Sequence, residues 1–88
     1  MGANVLNPVK PVYPLEARQQ GIEGIVRFEA VLSRDGVLVN MKVIASPDAR
    51  LTQAAMDALK QWTYKPTMLN GEPVETTTTI DVNFALSN

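Results

Sequence analysis

Residues 24–44 read GIVRFEAVLSRDGVLVNMKVI, and this stretch decides the fold. Val26, Phe28, Ala30 and Leu32 alternate with Ile25, Arg27, Glu29, Val31 and Ser33, the period-two pattern of a strand with one buried face. Asp35-Gly36 follows, two residues that tolerate positive φ and so favour a tight hairpin turn. Beyond it Val37, Val39, Met41 and Val43 alternate with Leu38, Asn40, Lys42 and Ile44. A two-residue turn sets Leu32 opposite Val39, Ala30 opposite Met41 and Phe28 opposite Val43 on the core face. Glu29 then lies opposite Lys42 on the other face, an opposite-charge cross-strand pair. A four-residue loop preserves the faces but opposes Arg27 to Lys42. A three-residue loop turns Asn40 and Lys42 inward unless a bulge intervenes. The two-residue turn is therefore expected.

C-terminal to the hairpin, Ser46-Pro47-Asp48 reads as a helix start: a capping hydroxyl, a proline at the first helical position and an acid in the first turn. Leu51, Ala54, Ala55, Ala58, Leu59 and Trp62 form one apolar stripe at helical spacing. Pro66 disfavours helical geometry at Lys65, so the helix is expected to stop near Trp62. Asn70-Gly71 turns the chain into a long strand, Val74 to Leu86. On it Thr76, Thr78, Ile80, Val82, Phe84 and Leu86 share one face. Glu75, Thr77, Thr79, Asp81, Asn83 and Ala85 take the other.

N-terminal to the hairpin, Pro14 to Gly21 reads as a short helix with proline in its first turn and glycine as its stop. So short a helix must lean on a core through Leu15 and Ala17 or the Arg18 stem. Pro8, Pro11 and Pro14 recur at a spacing of three, which suits an extended polyproline segment. Residues 1–10 are expected to be an extended lead-in and 11–88 the folded domain.

The order helix, strand, strand, helix, strand gives an α+β fold. Its three-stranded antiparallel sheet has the order 2-1-3 once the second helix crosses over right-handedly. Both helices cover one face, and the third strand is an edge. That edge carries Thr76, Thr77, Thr78 and Thr79 with no lysine or proline inside it, so it is weakly defended against another strand. Ile25, Val31, Leu38 and Ile44 are expected on the outer sheet face, which leaves a homodimer contact open there.

Composition narrows the function. The chain has 88 residues, no cysteine and no histidine, with eight Lys/Arg against nine Asp/Glu. Thiolate chemistry and the usual zinc and iron–sulfur sites are excluded, as is the commonest general base. Scattered single charges give no basic stripe for a phosphate backbone, so nucleic acid is not the expected partner. Glu72, Glu75 and Asp81 read as solvated charges, Trp62 as core, and Tyr13 as packing on the first helix. No cofactor and no enzymatic activity are expected. What remains is a binding module.

The ordered set Pro11-Val12-Tyr13-Pro14 with Ala17, Gly21-Ile22-Glu23-Gly24-Ile25-Val26, Asp35-Gly36, Ser46-Pro47, Ala54-Ala55, Ala58, Trp62-Thr63-Tyr64-Lys65-Pro66 and Asn70-Gly71-Glu72-Pro73-Val74 resembles the TonB C-terminal domain family. Trp-x-Tyr-x-Pro is its most specific piece, and the resemblance covers about Pro11 to Leu86. It implies a periplasmic module of an energy transducer, tethered by an upstream inner-membrane helix and Pro-rich linker to the ExbB–ExbD proton-driven motor. It also implies capture of the TonB box of outer-membrane transporters for siderophores, vitamin B12 or other nutrients. The box adds as a strand beside Thr76, Thr77, Thr78, Thr79, Ile80, Asp81, Val82, Asn83 and Phe84. The segment Lys10, Pro11, Val12, Tyr13 touches it as well. Lys10 and Val12 stand where the best-known members carry glutamines, which points to a different side-chain readout of the box. A TolA-like or stand-alone periplasmic adaptor, or a peptidoglycan-binding module, is the alternative reading.

Overall fold

Both edges of the segment that opens the hairpin are paired, so it becomes the middle of the sheet. The computed structural model describes residues 5–86. In chain order the elements are β1 (Val5–Asn7), α1 (Leu15–Gln19), β2 (Gly24–Leu32), β3 (Leu38–Ala45), α2 (Ala49–Leu59), β4 (Thr63–Tyr64), β5 (Thr67–Leu69), β6 (Glu72–Val74) and β7 (Thr76–Phe84). The three long strands lie in the order β3-β2-β7, with both outer strands antiparallel to β2. This is the expected 2-1-3 arrangement in an α+β fold. β2 and β7 keep one uninterrupted register, from Gly24 opposite Phe84 to Leu32 opposite Thr76.

The core is one layer between sheet and helices. Val26, Phe28, Ala30 and Leu32 of β2 pack with Ile80, Val82 and Phe84 of β7. Ala17 of α1 and Leu51, Ala55 and Leu59 of α2 close that face. Burying each large apolar side chain contributes about 1.5–3 kcal/mol, and Phe28, Leu32, Leu51 and Leu59 are fully buried. Arg50 ties the helices together: its guanidinium donates to Asp48 on its own helix start, and to Glu16 and Gln20 at α1.

Several local expectations are corrected. The hairpin loop has three residues, Arg34 to Gly36, not two: Ser33 N–H donates to Val37 O, and Gly36 sits at φ 84°. Leu32 consequently pairs with Leu38 and Val31 with Val39. A bulge then shifts the register between Glu29 and Val31, at the position where Asn40 adopts φ 52°. Beyond it Glu29 is opposite Lys42 and Phe28 opposite Val43, as a two-residue turn would have placed them. Leu38 is therefore buried, while Val37 and Val39 are exposed. The long turn and the bulge compensate in register, and past the bulge Met41 packs against the core while Val43 is exposed. Glu29 and Lys42 form no ion pair within 4 Å; among the described residues those pairs are Arg27–Asp81, Arg50–Glu16 and Arg50–Asp48.

The second helix is capped by Asp48 rather than Ser46. The Asp48 carboxylate accepts from Arg50 N–H at 2.8 Å, and the Ser46 hydroxyl braces the turn by donating to Asp48 O. The helix ends at Leu59, a turn short of Trp62. Ala17 alone anchors α1 in the core, and Leu15 is exposed. The final strand begins at Thr76, because Glu72–Val74 pairs with Thr67–Leu69 across the Asn70-Gly71 turn. Of the expected extended lead-in, residues 1–4 lie outside the described residues, and Val5–Asn7 form β1, an extended strand that pairs with β4.

Gly36 is a close approach as well as a turn residue. An added Cβ would lie 2.1 Å from Tyr64 O, and Tyr64 N–H donates to Gly36 O at 2.7 Å. Gly71 has φ 83° with nothing near its missing Cβ. Gly71→Ala should therefore lose roughly 1–2 kcal/mol of backbone strain alone, and Gly36→Ala clearly more, as measured by urea unfolding. Asp48 gives a pH signature. Hydrogen bonds from the Arg50 side chain and N–H hold its carboxyl at about 2, below its ordinary 3.8. A lowered folded-state pKa stabilises above about pH 4, and that contribution fades as pH falls towards 2. Asp48→Ala is expected to melt a few degrees below the parent at pH 7, with the gap closing near pH 2.

Candidate functional site

An edge strand is a site only if something shapes the space beside it. Here β7 pairs with β2 on one side only, among the described residues. At its C-terminal half a groove of about 530 Å³ opens. One wall is strand: Asp81, Val82, Asn83 and Phe84, with Ala85 beyond. The other wall is the strap before α1, through Lys10, Pro11 and Tyr13. Arg18 and Trp62 complete it.

Tyr13 joins the two walls. Its ring meets Phe84 edge-on at 5.4 Å between centroids, and its hydroxyl donates to Ile22 O. Burial, and then the Glu23 carboxylate, push its pKa up against the opposing Arg18 guanidinium. The phenol therefore stays protonated and keeps donating at neutral pH. Arg18 lies 5.9 Å over the same ring, a cation–π arrangement that brings one positive charge to the rim. The Glu23 carboxylate accepts from Leu86 N–H at 2.6 Å and so fixes the exit of the chain from β7.

Across the sheet, Arg27 and Asp81 are register partners joined in a bidentate pair. Arg27 Nε donates to Asp81 Oδ1 at 2.8 Å and Nη2 to Oδ2 at 3.0 Å. That pair holds the Asp81 carboxyl below the usual carboxylate range, so the groove's acidic member is already matched. Lys10 and Arg18 join no ion pair among the described residues. The rim is therefore cationic over an aromatic floor.

Two separated stretches of sequence thus meet in one groove, but only in part. Lys10, Pro11 and Tyr13 face Asp81, Val82, Asn83 and Phe84. Val12 is 80% exposed and borders a second cavity of about 220 Å³ against α2. Thr76, Thr77, Thr78, Thr79 and Ile80 continue the edge outside the groove, with Ile80 buried in the core. Arg18, Trp62 and Ala85 line the groove without having been singled out for it. Trp62 is half-buried rather than core, and its Nε1–H donates to Val9 O at 2.7 Å. The available signal was the indole N–H, which needs a partner wherever the ring is partly buried.

An open strand edge beside a preformed cleft is the geometry that β-augmentation uses, in which an extended segment adds as an extra strand. The comparisons give the family. The profile described as Gram-negative bacterial TonB protein C-terminal matches residues 9–86. "Protein TonB" of Vibrio cholerae is 38% identical over 79 residues, covering 89% of this chain and 32% of that protein. The Xanthomonas campestris "Protein TonB" is 34% identical over 83 residues, covering 93% of this chain and 36% of that protein. The solution NMR structure of the Pseudomonas aeruginosa TonB CTD superposes with a TM-score of 0.82 at 27% identity, covering 97% of this chain and 87% of that one. The TonB2 protein of Vibrio anguillarum gives 0.64 at 32% identity, covering 97% and 84%. The chain belongs to the TonB C-terminal domain family, a non-enzymatic periplasmic family of Gram-negative bacteria. It spans about a third of the length of these curated relatives.

Phe84 is the residue through which core and groove communicate. Phe84→Ala is expected to lose about 3–5 kcal/mol in urea unfolding. It should also shift the amide resonances of the strap, because Tyr13 loses its edge-on partner.

Proposed function

We propose that this domain is the receiving end of a TonB-type energy transducer: it captures the TonB box of an outer-membrane transporter as an added strand on β7. Energy from the proton-motive force then reaches the transporter as tension through that joint and drives uptake of a siderophore, vitamin B12 or another nutrient. An upstream inner-membrane helix, a Pro-rich tether and the ExbB–ExbD motor complete the machine in this reading. The observation that carries the proposal is the groove between the free half of β7 and the strap, which joins two sequence segments that family resemblance assigns to the box.

The energetics suit a joint that must form and release. About four to six main-chain bonds at a net ~0.5–1.5 kcal/mol each give roughly 2–9 kcal/mol. Lost translational freedom and ordering of the peptide offset several of those. Backbone pairing gives grip without sequence, and the groove at Lys10, Tyr13, Arg18 and Trp62 adds selectivity. Pulling along a strand loads its hydrogen bonds together, so a modest affinity is compatible with transmitted force.

A TonB-box peptide titrated into isotope-labelled protein should move amide resonances across 76–84 and around Lys10 to Tyr13; shifts that spare 76–84 refute the reading. Two further peptides, N-methylated on alternate residues, separate backbone pairing from side-chain contact. Because only alternate N–H groups of an added strand point at β7, one set should abolish binding and the other leave it largely intact. Equal affinities would sink the mechanism.

A further inference from the structure

We infer that Trp62 is a positioning residue for this groove: its indole N–H latches the strap at Val9 and so holds residues 10–13 as the outer wall against which a visiting strand packs. This rests on the strand-addition reading above.

The strap has little else to hold it. Among the described residues, the hydrogen bond from Trp62 Nε1 to Val9 O, at 2.7 Å, is the sole one made by residues 8–12. Extended proline-bearing segments make no internal hydrogen bonds, so Pro8 and Pro11 stiffen the strap without locating it. Val9, Pro11 and Tyr13 are half-buried, but cavities of about 530 Å³ and 220 Å³ lie on the strap's two sides, and Lys10 borders both. The strap is a bridge hung between two anchors, Tyr13 against Phe84 at one end and Val9 on the indole at the other.

Trp62 is itself well placed to be an anchor. It sits three residues past the end of α2, with its own N–H donating to Leu59 O at 3.1 Å, and Leu59 is fully buried. Its ring lies 6.2 Å from Tyr64, which bonds in turn to Gly36 at the hairpin loop. The latch therefore transfers the rigidity of the core to a segment that has none of its own. A wall fixed beforehand spares the binding event the ordering of those residues, and affinity rises accordingly. Without the latch the strap is held by the Asn7–Thr63 pairing and by Tyr13 on Phe84, and the wall between them is looser.

Trp62→Phe tests the latch, because it keeps an aromatic ring on the same Cβ and removes the N–H donor together with the outer part of the indole. The expected result has three parts. Amide shifts of β2 and β7 stay as in the parent, heteronuclear NOEs of the strap amides at residues 9, 10, 12 and 13 fall, and box-peptide affinity falls about three- to tenfold, the range a single hydrogen bond commands. Most of the loss should appear in the dissociation rate. Unchanged NOEs at those amides, or lower NOEs with unchanged affinity, overturn the inference. Should the variant fail to fold, the parent still decides. Trp62 is the one tryptophan of the chain, so its indole gives a single N–H resonance. That proton should be protected from solvent in the free protein and shift when peptide binds. Rapid exchange in both states overturns the latch. The strand-addition reading fails separately, through silence of residues 76–84 in the parent titration. In that case the exchange rate of the indole N–H and the heteronuclear NOEs of the strap amides still test the latch itself.

Discussion

The structure depends on β2 being paired along both edges while its inward face is fully buried. Val26, Phe28, Ala30 and Leu32 admit essentially no solvent, and each sits in a strand held by β3 on one side and β7 on the other. A one-residue slip of β7 would turn Ile80, Val82 and Phe84 to water, so the hydrophobic pattern enforces the β2–β7 register. With β2 committed to the centre, β7 must end the sheet. The open edge on which the functional reading rests is thus a consequence of packing: a three-stranded sheet with a buried middle strand has two edges, and β7 is the one the strap approaches.

A chain of short contacts then carries order from the hairpin to the groove. The three-residue loop brings Gly36 against Tyr64 with no room for a side chain. Tyr64 bonds to Gly36, Thr63 bridges to Val37, and β4 pairs with β1 on its far side. From β1 the chain passes over Trp62 and reaches Tyr13 against Phe84. At the opposite end Arg50 clasps α1 to the start of α2. The strap is thereby strung between two fixed points, which is how a segment with one hydrogen bond of its own comes to form a wall.

Much of the candidate site was legible in the residues, and the rest was not, for identifiable reasons. The alternation from Thr76 to Phe84 marks a strand, the helix crossover makes it an edge, and the absence of lysine or proline leaves that edge undefended. The groove's other wall came from resemblance, because nothing in the run from Lys10 to Tyr13 says where an extended segment lies. Trp62 read as core because it ends an apolar stripe. The helix stops at Leu59, and the turn after it swings the ring to the rim. Val12 looked equivalent to its neighbours, but alternation in an extended chain points it to the α2 side.

Local periodicity and turn chemistry determined the elements themselves: which segments are strands, where the second helix carries its stripe, and which face of each is buried. They did so because those choices are made by each residue with its near neighbours. The loop length at Asp35-Gly36 and the bulge at Asn40 escaped them, since the two cancel in register by Lys42 and change the face only of Val37 to Val39. Only the tertiary structure decided how far the edge of β7 is open, which part of it faces a cleft, and what holds the strap. Those outcomes join residues more than fifty positions apart, such as Trp62 with Val9 and Arg27 with Asp81, whose distances are set by packing the whole chain around β2.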